Sequence, residues 1–131
     1  MLYTKCILKP PSPEDGFRIS VMSRHTTNDG KTPDPRITEE LFHVHLSHLG
    51  PDPKKIGAYL RKEITWREFA SAYRKKLQER PSSTGVEMIA KGALDGNITI
   101  LCIEETAERC HRRLLAEECK RRFPDLQIEH R

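Results

Sequence analysis

Ile98-Thr99-Ile100-Leu101-Cys102-Ile103 is the stretch on which the fold turns. Its residues are apolar toward both sides, with β-branched residues alternating through it, and Asp95-Gly96-Asn97 stops whatever precedes it. A strand apolar on both faces belongs in the middle of a sheet with a layer packed on each side. Downstream, Thr106 is a candidate cap for a helix running to about Arg122, and Pro124-Asp125 leads into a last strand, Leu126 to His130. Strand, helix and strand in that order form a parallel crossover unit of right-handed sense. The stretch therefore predicts an α/β fold: a three-layer sandwich, mostly parallel sheet, with helices on both faces.

Upstream, residues 2–9 and 17–22 read as two further strands, the second alternating as Phe17-Arg18-Ile19-Ser20-Val21. Pro10-Pro11-Ser12-Pro13-Glu14-Asp15-Gly16 between them is a loop, and the polar run 23–36 is a long irregular one. Thr38 is read as the cap of a helix reaching His48, in competition with a strand over Phe42-His43-Val44-His45-Leu46. Asp52-Pro53 opens a short helix to about Arg61. Thr65-Trp66-Arg67-Glu68 is a capping box, and Trp66, Phe69, Ala70, Tyr73 and Leu77 then fall on one side of its helix. Thr84-Gly85-Val86-Glu87 repeats that start signal for a helix to Leu94.

With 131 residues, 36% hydrophobic and 32% charged, the chain is expected to form a single α/β domain over residues 1–131 with a small core. Met1 to Cys6 carries neither the basic region nor the apolar run of a secretion signal, and no apolar stretch approaches bilayer length, so a cytoplasmic location without membrane contact is expected. The four cysteines, at 6, 102, 110 and 119, then read as reduced thiols. None forms a Cys-x-x-Cys pair, and on a helix or a strand His43, His45 and His48 do not supply three convergent ligands, so no metal is expected. No glycine-rich phosphate loop or dinucleotide fingerprint is present, and no cofactor is expected.

The chemistry gathers where the central strand becomes a helix, in Cys102-Ile103-Glu104-Glu105-Thr106-Ala107-Glu108-Arg109-Cys110-His111-Arg112-Arg113. Two thiols, an imidazole, three carboxylates and three guanidinium groups share that connection. In open α/β sheets, ligands sit beyond the carboxyl ends of the strands. A thiol at a helix start feels free amides and the positive dipole end, which favour thiolate, so Cys110 is the candidate nucleophile. His111 is then acid or base, Glu104 or Glu105 a base or simply a partner of the arginines, and Arg18, Arg24 and Arg112 the anion-binding residues. Packing is the competing role for Cys110, one turn before Leu114, and for Cys102, which sits in the apolar strand. A phosphatase-type loop is rejected, because six residues separate Cys102 from Arg109 and glutamates replace its glycines.

Two functional readings follow. One is an anion- or nucleotide-binding, Cys/His-dependent catalytic pocket at 102–113. The other is a non-catalytic nucleic-acid- or protein-binding module built on residues 54–80, which hold nine bases against three acids within a net charge of +4. A redox pair, Cys102 with Cys110, is a third, although it lacks Cys-x-x-Cys spacing. The oligomeric state is not encoded in these patterns.

Three segments resemble family 488 of the domains of unknown function. Asp15-Gly16-Phe17-Arg18-Ile19-Ser20-Val21-Met22-Ser23-Arg24 looks like the amino-terminal motif of one of its groups. Ile64-Thr65-Trp66-Arg67-Glu68-Phe69 with Tyr73 and Leu77 is similar to the middle helix. Leu101-Cys102-Ile103-Glu104 with Cys110-His111-Arg112 resembles the most distinctive block. The resemblance implies a small three-layer α/β fold and picks out Arg18, Arg24, Cys102, Glu104, Cys110, His111 and Arg112 as the matching polar positions. The His43-Val44-His45 segment departs from the tyrosine-bearing strand of the wider family.

Overall fold

A computed structural model describes residues 1–131. Five strands, β1 (Leu2–Cys6), β2 (Phe17–Ser20), β3 (Val44–His45), β4 (Ile98–Cys102) and β5 (Ile128–His130), form one sheet in the order β3-β2-β4-β1-β5. Every pairing is parallel, with Leu2 opposite Ile98 and Cys6 opposite Cys102, and Ser20 opposite Leu101. The helices are α1 (Pro53–Leu60), α2 (Trp66–Leu77), α3 (Ser82–Asp95) and α4 (His111–Arg122). The stretch that decided the fold is the central strand, and the parallel α/β sandwich expected from it is present.

Handedness distributes the layers. From β3 to β4 and from β4 to β5 the chain moves one way across the sheet, and right-handed crossovers place both connections on the same face. Accordingly α2, α3 and α4 pack on one another and α3 and α4 lie against β1 and β4, with α1 resting on α2. From β1 to β2 and from β2 to β3 the chain moves the other way, so the connections 7–16 and 21–43 cover the opposite face. That face carries 3-10 turns at Pro13–Asp15 and Glu39–Leu41 in place of α-helices. The helical layers are therefore unequal.

Alternation in β4 assigns the cores. Ile100 joins Leu2, Ile19, Tyr73, Leu77, Ile89, Leu114 and Leu115 beneath the helices. Leu101 points the other way, to Ile7 and Met22 under Ile37, Leu41 and Phe42. Each fully buried aliphatic side chain contributes about 1.5–3 kcal/mol. The Thr65–Glu68 capping box forms as read, with both bonds at 3.1 Å.

Three boundaries differ from expectation. The helix expected from Thr38 to His48 is a 3-10 turn, then β3 paired with Ile19 and Ser20, then a second turn at Ser47–Leu49. The alternating pattern prevailed because β2 would otherwise be an unpaired edge, which leaves a row of backbone groups open. Helix α3 begins at Ser82, and Glu87 pairs with Lys91 instead of completing a box with Thr84. Helix α4 begins at His111 with Cys110 as its N-cap, leaving Thr106 in the preceding turns.

Candidate active site

Strands β2 and β4 are neighbours, yet they hand the chain to opposite faces: β2 into the 21–43 connection, β4 into α4. That divergence is the topological switch point, where open α/β sheets leave a crevice. The sequence left the relative direction of these strands open. Because they run parallel, Val21 and Met22 share an edge with Cys102 and Ile103, and the Val21 amide donates to the Leu101 carbonyl at 3.0 Å.

At this edge α4 places His111, its first residue, buried against both strand ends. Its Nε2 lies 2.7 Å from the Val21 carbonyl oxygen, an acceptor only, so Nε2 carries the hydrogen and donates. In the neutral ring Nδ1 is then an acceptor, and it faces Cys102 Sγ at 3.5 Å. The edge-to-face contact with the Tyr73 ring, centroids 5.4 Å apart, holds the imidazole plane. Tyr73 is itself anchored by its hydroxyl, which donates to the Leu49 carbonyl. Burial pushes the Tyr73 hydroxyl well above the usual phenol range, so it stays a proton donor. A thiol, an imidazole and a backbone carbonyl are thus in series, across β4, α4 and β2.

Cys110 sits beside them, 2% exposed, and the ligating atoms of Cys102, Cys110 and His111 all lie within 4.8 Å of one another. Such a trio suits a thiophilic cation chemically; linear spacing concealed it because the three residues come from a strand end and, eight and nine positions later, a helix start. The thiolate expected of Cys110 is not what its surroundings produce. The adjacent Cys102 sulfur, and then burial, push the Cys110 thiol far above its ordinary range, overriding the influence of His111. Cys110 keeps its proton. Cys102 Sγ stands 3.5 Å from His111 Nδ1, and the same ring also bears on Cys110.

Arg112 is 0% exposed and takes part in none of the ten ion pairs of the molecule. Its Nη1 donates to the Glu104 carbonyl at 2.6 Å and to Cys110 Sγ at 3.4 Å. Its Nε and Nη2 are buried and have no partner. Those two N–H groups form the edge of the guanidinium that grips two oxygens side by side. Next to it, α4 begins with a cysteine at the N-cap and no side-chain cap for its first amides. Arg112 is thus a fully buried cation without a counter-ion, beside helix amides that no side chain caps.

The other expected site residues are placed elsewhere. Arg18 lies opposite Thr99, three residues or about 10 Å down the strand from Val21. Its guanidinium donates to the carbonyls of Glu40 and Leu41. Arg24 is exposed and donates to the Gly30 carbonyl. Glu104 is exposed, and it is its carbonyl that touches Arg112. His43 Nδ1 accepts from the Arg18 amide while His45 bonds the Met22 carbonyl, so the histidines at 43, 45 and 48 do not converge. Sequence reasoning missed a stack of His25 on His45 at 3.9 Å, with His25 Nε2 2.7 Å from Ser20 Oγ. Burial first, and then His45, lower His25 to about 4.

A polar cleft of about 400 Å³ opens beside the strand end, lined by Thr26, Asn28, Asp34 and Arg36 with Ile103, the residue after Cys102. The basic residues 54–80 lie mostly on the outer face of α1 and α2; Arg61 pairs with Glu63, Arg74 approaches Glu117, and Lys76 donates to the Gly50 carbonyl. No helix is long and apolar enough to cross a membrane.

Fold and site together define a small parallel α/β protein with a buried Cys–His–Arg cluster at the sheet's carboxyl edge. Within that class the chain belongs to the DUF488-N3a family: the family model, described as the active DUF488-N3 subclade, matches residues 2–122. Comparison with curated proteins gave no match, and comparison with solved structures gave none.

Proposed function

We propose that the protein is a thiol-dependent enzyme acting on a small anionic molecule or nucleotide, with Cys102 as nucleophile. The observation that carries this reading is the series Cys102 Sγ, His111 Nδ1, His111 Nε2 and Val21 oxygen. A hydrogen bond from Nε2 to a carbonyl fixes the tautomer, so the imidazole is oriented to take the thiol proton, and the resulting imidazolium keeps its Val21 partner. The proton moves from Cys102 Sγ to Nδ1; the freed thiolate attacks the electrophilic centre of the substrate, and the displaced group leaves with the bonding pair and takes the proton back from Nδ1. Arg112 anchors the substrate's anionic group on its Nε/Nη2 edge beside the first amides of α4. Cys110 stays protonated next to the reacting sulfur. Glu104 positions Arg112 through its carbonyl. The description of the family as an active subclade accords with this reading.

Cys102 and His111 are 4% and 7% exposed, so substrate enters by displacement of the 103–110 connection, which carries no regular secondary structure. The test is alkylation by iodoacetamide at pH 7.5, read by peptide mass spectrometry. Cys102 is expected to label at least about ten-fold faster in the native protein than in His111→Gln, whose folding is checked by its urea midpoint. Equal Cys102 rates in the two folded proteins would remove the basis of the mechanism.

A further inference from the structure

We infer that Cys110 is the resolving thiol of Cys102, so that a hydroperoxide converts the pair into a disulfide that closes the site. The inference rests on the reading of Cys102 as the reactive thiol and adds the regulation of that sulfur. Its basis is the arrangement of the four cysteines. Cys102 and Cys110 hold their sulfurs within 4.8 Å of one another in a shared apolar pocket with Ile7, Met22 and Leu101. Cys6 is turned to the Ile103 carbonyl and Cys119 to that of Val86, so each has its own backbone partner.

The local backbone suits closure. Cys110 is the N-cap of α4, in extended conformation, and follows the irregular connection 103–109, so its sulfur approaches Cys102 without unwinding the helix. A bond near 2.05 Å requires the sulfurs to move together by roughly 2–3 Å, within reach of a side-chain rotation and a small shift of that connection.

The chemistry balances in two steps. The Cys102 thiolate attacks the distal oxygen of a hydroperoxide; sulfur is oxidised to sulfenic acid, the O–O bond breaks, and the alcohol or water leaves with the proton held by His111. With Cys102 oxidised and His111 neutral again, the imidazole, within 4.8 Å of both sulfurs, takes the Cys110 proton; the Cys110 thiolate attacks Cys102 Sγ, and the sulfenic hydroxyl leaves with that proton as water. Two external thiols reverse the change, leaving as a disulfide. The disulfide takes the sulfur away from His111 Nδ1 and removes Cys110 from Arg112 Nη1, so the oxidised protein has no nucleophile and a rearranged anion edge.

The full-length protein is treated with one equivalent of hydrogen peroxide, blocked with N-ethylmaleimide, digested without reductant and analysed by mass spectrometry. Most of the oxidised protein is expected to carry a Cys102–Cys110 link, two hydrogens lighter than the reduced peptides. In Cys110→Ser, dimedone is expected to trap a sulfenic acid at Cys102 that wild type does not accumulate. Equal dimedone labelling of Cys102 in wild type and Cys110→Ser, or links joining other cysteines, overturns the inference. Alkylation of the reduced protein separates the two readings: rapid, His111-dependent labelling of Cys102 without a disulfide sinks the resolving role alone, whereas His111-independent labelling sinks the nucleophile on which it rests.

Discussion

Replacing Arg112 by methionine is expected to make the protein more stable while emptying the anion site. The side chain is 0% exposed, and Nε and Nη2 have no partner. A buried donor left unsatisfied costs about 1–3 kcal/mol, so two cost about 2–6 kcal/mol. Against this stands the bond from Nη1 to the Glu104 carbonyl, a charge-assisted contact of about 1.5–3 kcal/mol. Methionine fills much of the same volume with no polar atom, and substitution of buried charges by apolar groups of similar size is frequently neutral or stabilising. The difference favours Arg112→Met by roughly 1–3 kcal/mol. Urea denaturation measures it as a higher midpoint at unchanged slope. Inorganic phosphate supplies the second arm: at about 100 times its dissociation constant a ligand stabilises by about 2.7 kcal/mol, and this increment is expected in wild type and absent in the variant. A variant less stable than wild type by about 2 kcal/mol or more in phosphate-free buffer, or one that gains as much from phosphate as wild type does, would refute the reasoning, because the edge would then be satisfied within the chain or irrelevant to the anion.

Other consequences are equally direct. Lys5→Met removes the 2.8 Å partner of the fully buried Asp15 carboxylate and leaves it Arg131 at 3.4 Å and the Ser12 amide at 2.9 Å, so the cost is expected at the low end of about 3–5 kcal/mol, of which Lys5→Met/Asp15→Leu recovers a part in the same urea assay. Gly16→Ala is expected to cost more than about 2 kcal/mol, since φ is +65° and a Cβ there would collide with the Asn97 carbonyl oxygen; a midpoint near wild type contradicts a left-handed turn at this position. For Glu118, burial alone would raise the carboxyl, but Arg121, Gln78 and Arg122 bring it to about 2. A depressed folded-state value means this stability is present above about 4.3 and lost as pH falls toward 2, so Glu118→Gln is expected to flatten the acid limb of stability over that window. His25 is held neutral to about 4, so between 6.5 and 4 the unfolded chain binds more protons and stability declines; an NMR titration of His25 with a midpoint at about 6 or above counts against its buried stack on His45.

How much of this was legible beforehand depends on range. Ile98 to Cys102 declared itself a central strand, since a short, β-branched, largely apolar run after Asp95-Gly96-Asn97 suits a strand covered on both faces. The Thr65–Glu68 box and the Asp52-Pro53 start were readable because each is closed within one turn of chain. The segment around Val44 was ambiguous, for its pairing partner is β2, and a two-residue edge strand exists only once that partner is beside it. The block Cys102 to Arg113 was visibly dense in reactive side chains, and composition alone marked it as the place to look.

Composition and pattern determined the class of fold and its central strand, and they marked the segment densest in reactive side chains, because those follow from periodicity and from groups near in sequence. Tertiary structure decided the environment of each of those side chains. Only the parallel arrangement of β2 and β4 brings the Val21 carbonyl to His111 and thereby orients the ring toward Cys102. Only packing buries Cys110 against a second sulfur and raises its thiol, where the bare helix start would have lowered it. Proton affinity and hydrogen-bond satisfaction are set by what surrounds a group in space, and most of what surrounds these groups arrives from strands and helices far away along the chain.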